Sequence, residues 1–127
     1  MFTHKLLSPE GILVLEPDAQ LEAADFEGLA REIDPYIAEH GELPGVMIHA
    51  KALPGWVNLE AVLAHLRFIE SHHHNIRRLA VVSDSRLLTE LPKIVGHLVH
   101  AEVKHFAESA YEDALQWLGK AAIPAEQ

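Results

Sequence analysis

Residues 78–83 read RLAVVS, a run in which apolar side chains occupy four consecutive positions and two β-branched valines sit together. A strand with one wet face alternates polar and apolar residues. A strand apolar on both faces is one covered from above and below, as in the middle of a parallel sheet. Upstream, Val46–Ala50 repeats the pattern after Pro44 and Gly45, and is closed by a loop holding Pro54, Gly55 and Trp56. Leu79 and Val81 oppose Ala80 and Val82 across the pleat, as Val46, Ile48 and Ala50 oppose Met47, so both sheet faces need cover.

The cover comes from segments of helical spacing around these strands. Phe26, Leu29, Ile33 and Ile37 recur on one face between Ala23 and His40, and Gly41 follows as a residue suited to a left-handed helix end. A second helix opens near Asn58, a favoured N-cap. It is expected to bury Leu59, Val62, Leu63, Leu66 and Ile69 before fading into His72, His73, His74 and Asn75. Ser85 to His100 is apolar and helix-like, but Pro92 and Gly96 predict a break or kink and hence a mobile element. Glu102–Phe106 reads as a last strand, and Tyr111, Ala114, Leu115 and Leu118 mark a last helix ending at Gly119. At the start, Phe2–Leu7 and Ile12–Glu16 flank Ser8, Pro9, Glu10 and Gly11, which suit a tight reversal, so the chain opens with a β-hairpin.

The predicted order is ββαβαβαβα. Strand–helix–strand units cross over right-handedly to parallel neighbours, which gives an α/β fold: a mixed five-stranded sheet, an opening hairpin, a parallel remainder and about four helices. A length of 127 residues suits one domain spanning 1–127. Where helices leave the second face short of cover, a homodimer is the economical remedy.

With 49% hydrophobic and 23% charged residues, the chain has apolar surface enough for a core. A formal charge of −9 disfavours a nucleic-acid partner, since phosphate binding needs clustered Lys and Arg and only Arg77 and Arg78 adjoin. Cysteine is absent, which excludes disulfides, thiolate metal sites and cysteine nucleophiles. Protonating all ten histidines would cancel the formal charge of −9 and leave one net positive charge, so charge depends strongly on pH. No apolar run reaches the ~20 residues of a membrane span. The start MFTHKLLSPEG lacks the features of a signal peptide, which predicts a cytoplasmic protein.

In open α/β sheets ligands gather beyond the carboxyl ends of the parallel strands, here the loops Lys51–Asn58 and Ser83–Leu87. Trp56 is the candidate apolar wall, with Lys51, Asn58, Ser83, Asp84 and Arg86 as polar groups, in a site for an apolar or amphipathic small molecule. The plainer assignment has Trp56 plugging the edge of the core and Asp84 with Ser85 capping the next helix. Leu88, Leu91, Ile94, Val95 and Leu98 form a candidate mobile helix or partner face. Few basic residues flank that segment, so a protein partner is favoured over a bilayer surface.

As for chemistry, His97 and His100 lie one helical turn apart, but with no HExxH pairing they suggest at most a weak metal binder, and no cofactor is expected. His49, on a buried strand, is expected to be a neutral, hydrogen-bonded imidazole. Asp84, His49 and Lys51 would supply acid, base and electrostatic groups to a small enzyme. Yet the chain carries no GxSxG elbow, Walker loop or dinucleotide glycine fingerprint, so a non-catalytic binding or regulatory module is expected.

Several pieces in order carry a resemblance: Asp25 and Phe26 at the acidic start of the first helix, Gly55 and Trp56 after the third strand, LAVVSD at 79–84, AEVKHF at 101–106 and ALQWL at 114–118. Together they resemble the SpoIIAA-like family, small bacterial proteins related to the STAS domains of anti-sigma factor antagonists. The resemblance implies a STAS-like fold and, loosely, a regulatory role. Sigma-factor antagonists carry a phosphorylatable serine in the loop into the second helix. Here that loop, HAKALPGWVN at 49–58, has no hydroxyl residue, so no phosphorylation switch is expected there. The wider fold group is also similar to CRAL-TRIO domains, which hold apolar ligands between sheet and movable helices.

Overall fold

A computed structural model describes residues 2–7, 11–17, 19–51, 55–95 and 99–120. In chain order the elements are β1 (Phe2–Leu7), β2 (Ile12–Pro17), α1 (Ala23–His40), β3 (Leu43–His49), α2 (Leu59–His72), a 3₁₀ turn at His73–Asn75, β4 (Ile76–Val82), α3 (Arg86–Val95), β5 (Glu102–Phe106), a second 3₁₀ turn at Glu108–Ala110, and α4 (Tyr111–Lys120). The five strands stand side by side in sequence order. β1 pairs antiparallel with β2, and the other three pairings are parallel, as the crossover argument requires. Ser8–Glu10 of the hairpin reversal lie outside the described residues; Gly11 closes it at φ 74° and donates its N–H to Leu7 C=O at 2.8 Å.

The double-faced apolar strands are covered on both sides. On one face Leu13, Leu43 and Val46 pack with Leu29 and Ile33 of α1, while Ala50 and Val81 pack with Leu88 of α3. On the other, Ile12, Val14, Met47, Ala80 and Val82 meet Ala114 and Leu118 of α4. α4 lies very close: a Cβ built on Gly45 would fall 2.9 Å from the Leu118 Cβ, so glycine at that position sets the helix-to-sheet distance. The helix is pinned at the same C-terminal end by Arg78, whose guanidinium lies 4.8 Å from the Trp117 ring centroid and donates to Trp117 C=O at 2.7 Å.

Two expectations change. β3 begins at Leu43, upstream of Val46, and so includes Pro44. The proline is tolerated because β3 pairs with β4 from Leu43 but with β2 only from Gly45, so its missing donor falls where one neighbour has not yet joined.

The second change concerns α2. Leu59, Leu63 and Leu66 are exposed rather than buried, and the helix turns a different stripe, Ala61, His65, Phe68 and His72, inward. α2 packs chiefly on α1, and its Phe68 reaches the cluster that joins α1 to the sheet. Its inward stripe stacks there: His65 on Phe26 at 4.6 Å between centroids, and Phe68 on His72 at 4.2 Å. His72 completes the contact with a 2.7 Å hydrogen bond from Nε2 to Asp34 of α1.

Candidate functional site

The expected rim residues divide between two neighbourhoods. Trp56 forms a lone parallel bridge with Leu21, and its indole N–H donates to His65 Nδ1 at 3.1 Å, which joins it to the α1–α2 contact. Asn58 accepts the Ala61 N–H at 2.9 Å, the N-cap its sequence position predicts. Ser83 and Asp84 belong elsewhere, at the ends of β4 and β5. Ser83 is fully buried. Its N–H donates to Phe106 C=O at 3.0 Å, its C=O accepts from His105 Nε2 at 2.7 Å, and its hydroxyl accepts the Ser85 N–H at 3.0 Å. Asp84 accepts the Glu108 N–H at 2.9 Å and so caps the turn before α4. Lys51 and Arg86 are exposed.

Of the apolar segment, Leu88 is buried against Ala50 and Val81. Leu91, Ile94 and Val95 fall within α3, whose described length ends at Val95, while His97 and Leu98 lie outside the described residues.

At the ends of β2 and β3 the structure assembles a cluster that sequence reading missed. His49 Nδ1 lies 2.9 Å from Glu16 and Nε2 lies 2.5 Å from Glu108, so the ring is held between two carboxylates. Its edge meets Tyr111 at 4.9 Å between centroids. The register explains the first pair, since Leu15 stands beside Ile48 and the next residues are Glu16 and His49. Glu108 is 59 residues away in sequence, and its backbone is the group Asp84 holds.

His49 is hydrogen-bonded as expected, but the expectation that burial sets the direction of its pKa is corrected. Partial burial pulls its pKa down, but the hydrogen bonds and charges of Glu108 and Glu16 outweigh this and leave it raised. Burial, with the charges of Glu16 and Glu112, also pushes Tyr111 up. Beside the clamp lies a half-open depression of about 450 Å³ lined by His4, Lys5, Leu7, Val14, Glu16 and Tyr111. The imidazole takes its partners from Glu16 and Glu108, not from Asp84 or Lys51, so the three groups considered for acid–base work do not form a hydrogen-bonded set.

Among the described residues, no group of three or more His, Asp or Glu side chains is placed to hold an ion. His73, His74 and His100 do gather, with ring centroids at 4.0 and 5.5 Å and the His100 N–H donating to His73 Nδ1 at 2.8 Å. Desolvation, then the neighbouring His74 and His100, lowers the pKa of His73 against the opposing pull of Glu70.

The remaining feature is the outer face of α2. Leu59 is 71% exposed, Leu63 44% and Leu66 57%, and Val57 just before the helix is 46% exposed. The spacing i, i+4, i+7 lines the three leucines along one side. Single exposed apolar residues are ordinary, whereas a continuous stripe marks a contact surface.

The described residues form a hairpin-led, otherwise parallel sheet with helices on both faces, a small α/β fold, and no helix among them is long and apolar enough to cross a membrane. The chain belongs to the SpoIIAA-like family, whose sequence profile matches residues 12–119. Among solved structures it is similar to an uncharacterised protein of the DUF3478 family with a SpoIIAA-like fold from Shewanella loihica PV-4. The TM-score is 0.73 at 20% identity, over 93% of this chain and 92% of that one. No curated protein matches it significantly.

Proposed function

We propose that this chain is a non-catalytic regulatory module that works by docking a protein surface on the outer face of α2. The observation that carries this reading is the exposed stripe Leu59, Leu63 and Leu66, extended by Val57. Each leucine left in water forgoes roughly 25 cal/mol per Å² of apolar area that a partner would cover, and the contacts of α2 with α1 are made by the opposite stripe, through His65 and His72. The family membership supports a regulatory role in general terms.

The test is a photo-crosslinking amino acid placed at Leu63 and, as a control, at the exposed Glu39 of α1 in the full-length chain expressed in cells. Covalent protein adducts at position 63 and not at 39 are expected. Their absence at 63 would remove the basis for this reading.

A second reading keeps an amphipathic small molecule in the depression beside the clamp, favoured by its pairing of Leu7 and Val14 with Lys5 and Glu16. Thermal shifts against a panel of fatty acids and metabolites, compared between wild type and Leu7→Ser, test it. Identical shifts in both proteins would count against this site.

A further inference from the structure

We infer that the surface docked on α2 is the α2 of a second copy of this chain, laid antiparallel about a two-fold axis near Leu63. This rests on the docking role proposed above and names its partner.

A two-fold interface must be self-complementary, since the same patch faces itself. The outer face of α2 meets that condition in its apolar and its charged residues. Leu59 and Leu66 lie seven residues apart, two helical turns, with Leu63 between them. In an antiparallel pair centred near Leu63, Leu59 of each copy meets Leu66 of the other, and the two Leu63 side chains meet at the axis.

The charges follow the same symmetry. Glu60 and Arg67 are both exposed and also seven residues apart, along one flank of the leucine stripe. Antiparallel pairing sets Glu60 of each copy beside Arg67 of the other, giving two equivalent ion pairs on one side of the seam. A parallel two-fold arrangement would carry the two charged flanks to opposite sides of the seam and form neither ion pair. The antiparallel one also opposes the two helix dipoles favourably.

One 14-residue helix per copy offers less than the ~800 Å² per partner of a standard stable interface. The pair is therefore reversible, with dissociation in the micromolar range.

Sedimentation equilibrium on the full-length protein, from about 1 to 200 μM to bracket that range, tests the pairing. A concentration-dependent monomer–dimer equilibrium is expected. Leu63→Glu, which buries two carboxylates at the axis, should weaken it at least tenfold. Glu60→Arg and Arg67→Glu should each weaken it by about fivefold, because each sets like charges opposite one another twice, and the combined Glu60→Arg/Arg67→Glu protein should recover wild-type association. Recovery in the double variant separates pairing from any effect of either change on the helix itself. A monomer at every concentration, a dimer indifferent to Leu63→Glu, or a double variant no better than the singles would overturn the proposal.

The crosslinker at position 63 separates this inference from the reading beneath it. An adduct of twice the chain mass supports both. An adduct of any other mass keeps the docking role and overturns the second copy, and no adduct sinks both.

Discussion

His49 and His65 respond to pH in opposite senses because one ring is held by charge and the other by burial. The folded pKa of His49 is raised. Its contribution is fully present below the unfolded value near 6.5 and is lost as pH rises through the folded value. His65 is lowered by desolvation. Its contribution is present above the unfolded value and is lost as pH falls toward the folded one. Nδ1 of His65 also accepts the Trp56 indole N–H, a role that only the neutral ring can fill. Ring-proton titration by NMR should therefore place His49 above 6.5 and His65 below it. Urea unfolding of wild type and His49→Gln should differ most near pH 6 and converge as pH rises through the folded pKa of His49. The difference should stay near or below about 1 kcal/mol per ion pair, because both glutamates are substantially exposed. The clamp was not legible in the sequence. Its three residues are separated by 33 and 59 positions, and only the pairing register and the turn before α4 bring them together.

Elements were legible wherever one apolar stripe had no rival. α1 offers a single such face, and its span from Ala23 to His40 ends at Gly41 as expected, at φ 88°. α2 offers two faces, one of leucines and one of aromatic rings and histidines, and periodicity cannot rank them. The aromatic face turned inward because it stacks on Phe26 and finds polar partners in Trp56 and Asp34, which no leucine could do. Stability should register this inversion. Leu63→Ala is expected to change the unfolding free energy by no more than about 0.5 kcal/mol, whereas Leu29→Ala in α1 should cost about 2–5 kcal/mol by chemical denaturation. At α4, Gly45→Val would drive a branched side chain into Leu118, and with no rotamer able to withdraw its Cβ the helix must shift. A loss of about 1–3 kcal/mol and a weaker Trp117 contact with Arg78, read by tryptophan fluorescence, are expected.

At the scale of the whole molecule the sheet was readable because two strands are apolar on both faces, and the handedness of their crossovers leaves few arrangements. The distribution of function was less readable. The crevice rule directs attention to Trp56, Asn58, Ser83 and Asp84, but the hydrogen bonds of these residues serve the frame of the fold. The prominent apolar surface among the described residues instead starts at Val57 in that rim loop and runs along the outside of α2. Sequential strand order also bears on how the chain is made. A ribosome releases β1 through β5 in the order the sheet needs them, so each strand can add to an edge already formed. The face holding Ile12, Val14, Met47, Ala80 and Val82, however, gains Ala114 and Leu118 only when the last helix emerges. Until then a nearly finished nascent chain presents a greasy plane to the cytosol or to a chaperone, and a fragment stopped at Ala107 should collect in the pellet on expression while the whole chain stays in the supernatant.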